Sequence, residues 1–258
     1  MSIEMATAVV SGGASGLGYA VAKTVIAKGG QVALLDVDRE SGEQAARTLG
    51  ERALFTYCDV TSEESINQAV SDTLEQFGQI SLTVNCAGIV TGQRVVGRDE
   101  LMPADDFKRL IDINLTGTFL VCRAAANVMQ FNAPQGKDNE RGVIVNTASI
   151  AAFDGQIGQV SYAASKGGVA SMTLPLAREF AAFGVRVVTV APGVFATPMF
   201  DRYAESTRHD LVADTPHPLR AGDPDEFAAL VVHIYENPML NGEVIRLDGA
   251  LRLPPKSR

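Results

Sequence analysis

The chain has 258 residues, 46% hydrophobic and 20% charged, with a net charge of −8. That length can bury a core that takes about 70–75% of the unfolded surface out of water, which excludes global disorder. Aromatic residues make up 6%, tryptophan is absent and the surface is acidic, which counts against a stacking platform for single strands and against any nucleic-acid phosphate binder. From the amino terminus, an apolar run over 5–10 reads as a strand ending at Ser11-Gly12-Gly13. Residues 16–28 read as a helix with Leu17, Val21, Val25 and Ile26 on one side. A strand over 31–36, a helix over 41–49 and a strand over 53–58 follow. The next helix runs to Phe77, with Ser62 as its N-cap and Glu63 and Glu64 in its first turn. Then come a strand over 80–85, one long helix over 105–131, a strand over 143–148 and a long helix over 160–183. A strand over 185–190, a helix over 224–236 and a short strand over 243–247 complete the series.

Seven strands alternating with helices predict βαβ units and a parallel sheet. The continuous apolar runs Val32-Ala33-Leu34-Leu35 and Val187-Val188-Thr189-Val190 suit strands covered on both faces. No linker or repeat divides the chain, so one domain over 1–258 is expected. Three segments break the rhythm. Residues 91–103 carry Arg94 and Arg98. Residues 132–141 are polar and read as a solvated loop of no chemical interest. Residues 192–223 are long and partly apolar, and long loops in compact domains carry function or move.

Three cysteines, Cys58, Cys86 and Cys122, lie too far apart for a metal or redox pair, and an odd number suits a reducing compartment. Three histidines form no metal spacing, so no metal is expected. No apolar run approaches the length of a membrane span, and the first residues show no basic leader, so the expected address is the cytoplasm.

Ser11-Gly12-Gly13-Ala14-Ser15-Gly16-Leu17-Gly18 directly follows the first strand and opens the first helix. Glycines there let backbone approach a pyrophosphate that faces a helix N-terminus. Asp36 ends the second strand, where an acid hydrogen-bonds the adenosine ribose and repels a 2′-phosphate. The expected cofactor is therefore NAD rather than NADP, although Arg39 stands close by. Tyr162 and Lys166 share one face of a helix at i and i+4. By spacing alone a surface pair is the commoner arrangement. A tyrosine serving as base near neutral pH needs its pKa lowered by about 3 units, roughly 4 kcal/mol, which an ammonium and a nicotinamide cation together can supply. Ser149 ends the fifth strand, at the sheet edge where open α/β folds bind ligands, and its hydroxyl can hold a substrate oxygen.

These motifs, with Asp59-Val60, Asn85-Cys86-Ala87-Gly88, Asn114 and Pro192-Gly193, resemble the short-chain dehydrogenase/reductase family over essentially the whole chain. Ser11 stands where the family usually has Thr, and Cys86 where a second Asn is commoner. Residues 146–159, 165–168, 172–177 and 237–250 are similar to the branch that acts on 3-hydroxyacyl-CoA esters. The resemblance implies a single Rossmann-like, doubly wound α/β domain with a seven-stranded parallel sheet. It implies NAD-dependent oxidation of a secondary alcohol, with hydroxysteroids or other alcohols as alternative substrates. It implies a homotetramer, while the acidic charge and the lack of a membrane-length apolar run leave no nucleic-acid or membrane partner expected. A non-catalytic binding subunit is the contrasting class, disfavoured by the intact Ser149, Tyr162, Lys166 and Asn114 set.

By the same resemblance, Tyr162 is the general acid/base, Lys166 tunes it and holds the nicotinamide ribose, Ser149 orients the substrate oxygen and Asn114 holds a relay water. Ser11, Gly12, Ser15, Gly16, Leu17 and Gly18 form the pyrophosphate turn, and Asp36 meets the adenosine ribose. Asp59 and Val60 flank the adenine, and Asn85, Cys86, Ala87 and Gly88 approach a ribose. Pro192, Gly193, Phe195 and Thr197 reach the carboxamide side. Residues 192–223 are expected to cover the substrate, with Met199, Phe200, Tyr203, Leu211 and Val212 as an apolar wall or as local lid packing. Arg94 and Arg98 would meet CoA phosphates or remain a solvated charged loop.

Overall fold

The computed structural model describes residues 1–256. In chain order, β1 is Thr7–Ser11, α1 Gly16–Ala27, β2 Gln31–Asp36, α2 Arg39–Leu49, β3 Ala53–Tyr57, α3 Glu63–Phe77 and β4 Leu82–Asn85. The second half gives α4 Ala104–Ile111, α5 Gly117–Met129, β5 Gly142–Thr147, α6 Val160–Phe180, β6 Val185–Pro192, α7 Pro198–Asp201, α8 Glu205–Ala213, α9 Pro224–Glu236 and β7 Val244–Leu247. All seven strands run parallel in the order β3-β2-β1-β4-β5-β6-β7. The order reverses between β1 and β4, so their carboxyl ends open a crevice in which folds of this type bind ligands.

Apolar side chains alternate between two cores, one on each face of the sheet. Val10, Leu34, Val84, Val145 and Val190 join Val21, Val25, Phe227 and Tyr235 of α1 and α9 on one face. Val9, Leu35, Ile144 and Val187 join Ile66, Val121, Met129 and Phe180 of α3, α5 and α6 on the other. The local signals act as their chemistry requires. Ser62 Oγ accepts the Ser65 N–H at 3.2 Å and starts α3, and Gly78 in the left-handed region ends it. Pro224 begins α9 behind a capping box made by Asp223 and Glu226.

Several expected boundaries change. Residues 3–5 form a 3₁₀ turn, so β1 starts at Thr7. The long helix expected over 105–131 is two helices, α4 and α5, joined by a π-helical turn at Asp112–Thr116. Periodicity cannot detect that turn, because one extra residue in a turn leaves both flanking patterns apolar-sided. The segment 132–141 is not a solvated loop throughout. Glu140 is buried and pairs with Arg186 Nε at 2.5 Å, while Arg186 also donates to three carbonyls at the end of α9 and just beyond. Residues 192–223 contain two short helices, α7 and α8. Among the described residues no helix is long and apolar enough to cross a membrane.

Candidate active site

The Gly-rich turn lies between β1 and α1, and its glycines are needed by contact as well as by backbone angle. Gly12 has φ +64°, and a Cβ there would sit 2.8 Å from the Ala87 nitrogen, so the turn after β1 nests against the turn after β4. A Cβ on Gly18 would collide with the Gly12 carbonyl. Gly16 differs: a Cβ there would meet only Thr197 at 3.6 Å and then Pro198, across the mouth of the crevice. Ser15 caps α1 without a side-chain hydrogen bond, which leaves the first-turn N–H groups to an outside acceptor. Leu17 is half-buried against the α1 core.

Asp36 is aimed by its neighbours. Its carboxylate accepts the Ala14 N–H at 3.1 Å and the Asp38 N–H at 3.2 Å. Arg39 forms no ion pair with it among the described residues; its guanidinium lies over the Tyr57 ring at 4.2 Å. Asp59 accepts from the Thr61 backbone and hydroxyl, and Val60 is buried against Gly117. A helix N-terminus without a side-chain cap, an oriented carboxylate at the end of β2 and a tight glycine turn between them fit an adenine dinucleotide.

Not every expected cofactor residue offers its side chain to the crevice. Ser11 Oγ donates to Asn85 Oδ1 at 3.3 Å and accepts the Ala87 N–H. Asn85 Nδ2 in turn donates to Asn146 Oδ1 at 2.8 Å and points to Cys122 Sγ at 3.4 Å. These side chains form an inner polar network, so a ligand meets only their backbone. The Phe195 ring packs inward against Gly222, so it too can contribute backbone alone. The Cys86 thiol sits 3.5 Å from Thr147 Oγ1, and burial pushes it up to about 11, which makes it packing rather than a nucleophile. Pro192 and Gly193 lie beside β7, with Gly193 N–H on Leu247 O at 2.9 Å.

On the other side of the crevice four polar side chains converge. Tyr162 and Lys166 lie in the first turns of α6, and Ser149 follows β5 directly. The Ser149 hydroxyl accepts the Ala151 N–H at 3.1 Å, and its hydrogen bond to the Tyr162 phenol favours the ionised phenol. Lys166 Nζ is buried, donates to Thr147 O at 2.8 Å and stands 6.0 Å from the Tyr162 ring centre. Asn114 lies in the π-helical turn, fully buried. Its amide reads both backbone groups of Ile89 and donates to Ser165 Oγ at 3.1 Å. Ser165 donates on to Tyr162 O at 2.8 Å, which ties Asn114 to α6. Gly88 closes the group: a Cβ there would lie 3.2 Å from Asn114 Oδ1 and 3.5 Å from Lys166 Nζ.

Lys166 does not pull the phenol down in the protein alone. Burial raises Tyr162 above its ordinary value despite Ser149, and burial lowers Lys166 to about 8. Within the protein the phenol is therefore held neutral. Sequence reasoning passed over Ser165 and the Thr147 carbonyl, although Ser165 stands between Tyr162 and Lys166 at the spacing that turns it to the same side of the helix.

This grouping of a tyrosine, a lysine one turn on, a serine at the end of β5 and an asparagine in a π turn accompanies a family match. Residues 6–208 match the family described as short chain dehydrogenase. The chain belongs to that family. This dehydrogenase is an oxidoreductase by that membership. It is 48% identical over 256 residues to 3-hydroxyacyl-CoA dehydrogenase type-2 of Rattus norvegicus and 46% identical to the protein of the same name from Homo sapiens, covering 98% of each chain in both cases. The crystal structure of 3-hydroxyacyl-CoA dehydrogenase type-2 from Mycobacterium avium superposes with a TM-score of 0.94 at 41% identity, again over 98% of both chains.

Proposed function

We propose that this dehydrogenase oxidises the 3-hydroxyl of a short 3-hydroxyacyl-CoA to the 3-keto ester, reversibly, with NAD. The observation that carries the proposal is the convergence of Ser149, Tyr162, Lys166 and Asn114 beside the crevice that Asp36 and the Gly-rich turn border. Identity to the named relatives supports the substrate. NAD rather than NADP rests on Asp36, whose carboxylate would accept from ribose hydroxyls and repel a 2′-phosphate. The first-turn N–H groups of α1 would take the pyrophosphate, Asp59 and Val60 would flank the adenine, and the backbone from Asn85 to Gly88 and from Pro192 to Thr197 would border the nicotinamide half.

In the reaction, Ser149 donates a hydrogen bond to the substrate oxygen and Tyr162 takes that oxygen's proton. Nicotinamide, when bound, supplies the hydride acceptor and a cation that favours the phenolate. Lys166 adds its charge on the same side and holds the ribose. Asn114 keeps α6 and the Ile89 backbone aligned and would hold a water that links Lys166 to solvent. Residues 192–223 would close over the acyl group. Met199 and Tyr203 are 39% and 42% exposed there, which also gives a wall for a ring system and keeps a hydroxysteroid as the second reading. A homotetramer and a cytoplasmic address complete the proposal.

The test is a panel of 3-hydroxyacyl-CoAs and hydroxysteroids, followed by NAD(P) reduction. The expected outcome is highest kcat/KM with a short acyl-CoA and NAD, and loss of turnover by at least about 10³-fold in Tyr162→Phe with NAD affinity retained. Preference for steroids moves the substrate assignment, and equal use of NADP removes the Asp36 argument.

A further inference from the structure

Segment 150–161 connects Ser149 to Tyr162, and its outer part is not held by burial. Phe153 and Ile157 are 52% and 58% exposed. Polar contacts to β7 and the chain after it hold it instead. Arg246 Nη2 donates to Asp154 Oδ2 at 2.5 Å and to Leu251 O at 3.0 Å, while Nε donates to Asp248 Oδ2 at 2.7 Å. The guanidinium also lies 5.3 Å from the Phe153 ring centre. Beyond it, Gln156 Nε2 donates to Pro254 O at 3.0 Å and Ile157 N–H to Pro255 O at 2.9 Å.

We propose that Arg246 is a positioning residue for the Ser149–Tyr162 pair. By fastening Asp154 to β7 and to the residues after it, Arg246 sets the path of the connecting segment and so the separation of the two hydroxyls. The inference rests on the reading that this pair acts on the substrate oxygen. The planar fork matters: three acceptors in different directions are met by one rigid group, which an ammonium on a flexible stem cannot reproduce. The cluster is partly shielded, with Arg246 and Asp154 side chains each 21% exposed and Asp248 6%. Removing Arg246 takes from Asp154 its ion-pair partner among the described residues and leaves Asp248 with Arg252, itself mostly exposed, and the Ala250 N–H. The same residues touch the rest of the site. Gly193 N–H bonds to Leu247 O, a Cβ on Gly193 would lie 3.0 Å from Asp248 Cα, and His217 N–H bonds to Gly249 O at the foot of the segment expected to cover the substrate.

The experiment compares Arg246→Gln, Arg246→Lys, Arg246→Ala, Asp154→Asn and Tyr162→Phe by steady-state kinetics, calorimetric NAD titration and thermal melting. Arg246→Gln is expected to lower kcat about tenfold or more while KM and the NAD Kd stay within about twofold, because misplacement of reacting groups acts on the transition state rather than on binding. Arg246→Lys should recover only part of that loss, and millimolar guanidinium should restore turnover to Arg246→Ala. A wild-type kcat in folded Arg246→Gln overturns the proposal, as does a loss that tracks only the unfolded fraction. If Arg246→Gln does not fold, Asp154→Asn decides: a lowered kcat supports the proposal and an unchanged one overturns it. Retained turnover in Tyr162→Phe would instead sink the reading on which the inference rests.

Discussion

Lys166 brings an ammonium into a site that offers it one carbonyl, from Thr147, and no ion pair among the described residues. Burial therefore lowers its pKa to about 8 from the ordinary 10.5. The folded protein lets go of this proton at lower pH than the unfolded chain. The cost of burying the charge is thus full below pH 8, and stability rises as pH climbs from 8 toward 10.5. The difference amounts to about 3 kcal/mol. The phenol of Tyr162 and the thiols of Cys58, Cys86 and Cys122 work in the opposite sense, since burial raises them and stability falls as the unfolded groups ionise. Comparison with Lys166→Met isolates the lysine. In urea unfolding at pH 7.5 and pH 10, the wild type should gain on the variant by roughly 2–3 kcal/mol at the higher pH. A gap that does not move with pH means the ammonium is not desolvated as described. The sequence placed Lys166 beside Tyr162 correctly, but it could not show that the same burial acts against both charges.

At the scale of elements, sequence signals that are local came through and those that depend on a partner did not. Ser62 marks a helix start because its cap bond is made within three residues. Ser62→Ala should therefore destabilise the fold by about 1 kcal/mol in denaturant unfolding, and Ser62→Gly by a few tenths. Equal stability of Ser62→Ala and wild type would show that the Ser65 N–H finds another acceptor. Asn114 was readable as a site residue through the family pattern, yet the π-helical turn that aims it was not, because no residue type announces an extra residue in a turn. Ser11, Asn85 and Phe195 show the complementary limit. Their positions along the crevice were legible, but the direction of each side chain depends on neighbours 27 to 74 residues away, such as Gly222 and Asn85. The inward turn of Ser11 and Asn85 leaves a network of hydrogen bonds where ligand contacts were expected.

Across the whole molecule the acidic balance sets a problem for an anionic substrate. With a net charge of −8, the average field would repel the proposed CoA ester, so its capture would depend on local cations. Arg98 is exposed within a hairpin closed by the Val96–Leu101 bridge and Arg94 is exposed just before it, where Gln93 N–H joins the segment to Gly158 O at 2.8 Å, four residues before Tyr162. The double variant Arg94→Ala/Arg98→Ala should raise KM for a 3-ketoacyl-CoA about tenfold and leave KM for a CoA-free ketone unchanged. The wild-type advantage should shrink as ionic strength increases. An unchanged KM would assign the two arginines to solvation of the hairpin.

The nesting of Gly12 against Ala87 also bears on how the protein acquires its site during folding. All of the Gly-rich turn and Asp36 are in place within the first 36 residues, but the opposite wall of the crevice arrives only when β4 docks beside β1. Every neighbouring pair of strands is parallel and needs a crossover, so these contacts are distant in sequence and form slowly. Dinucleotide affinity in this chain is thus acquired together with the central sheet, not with its first βαβ unit. Binding of the dinucleotide during refolding would report the pairing of β1 with β4.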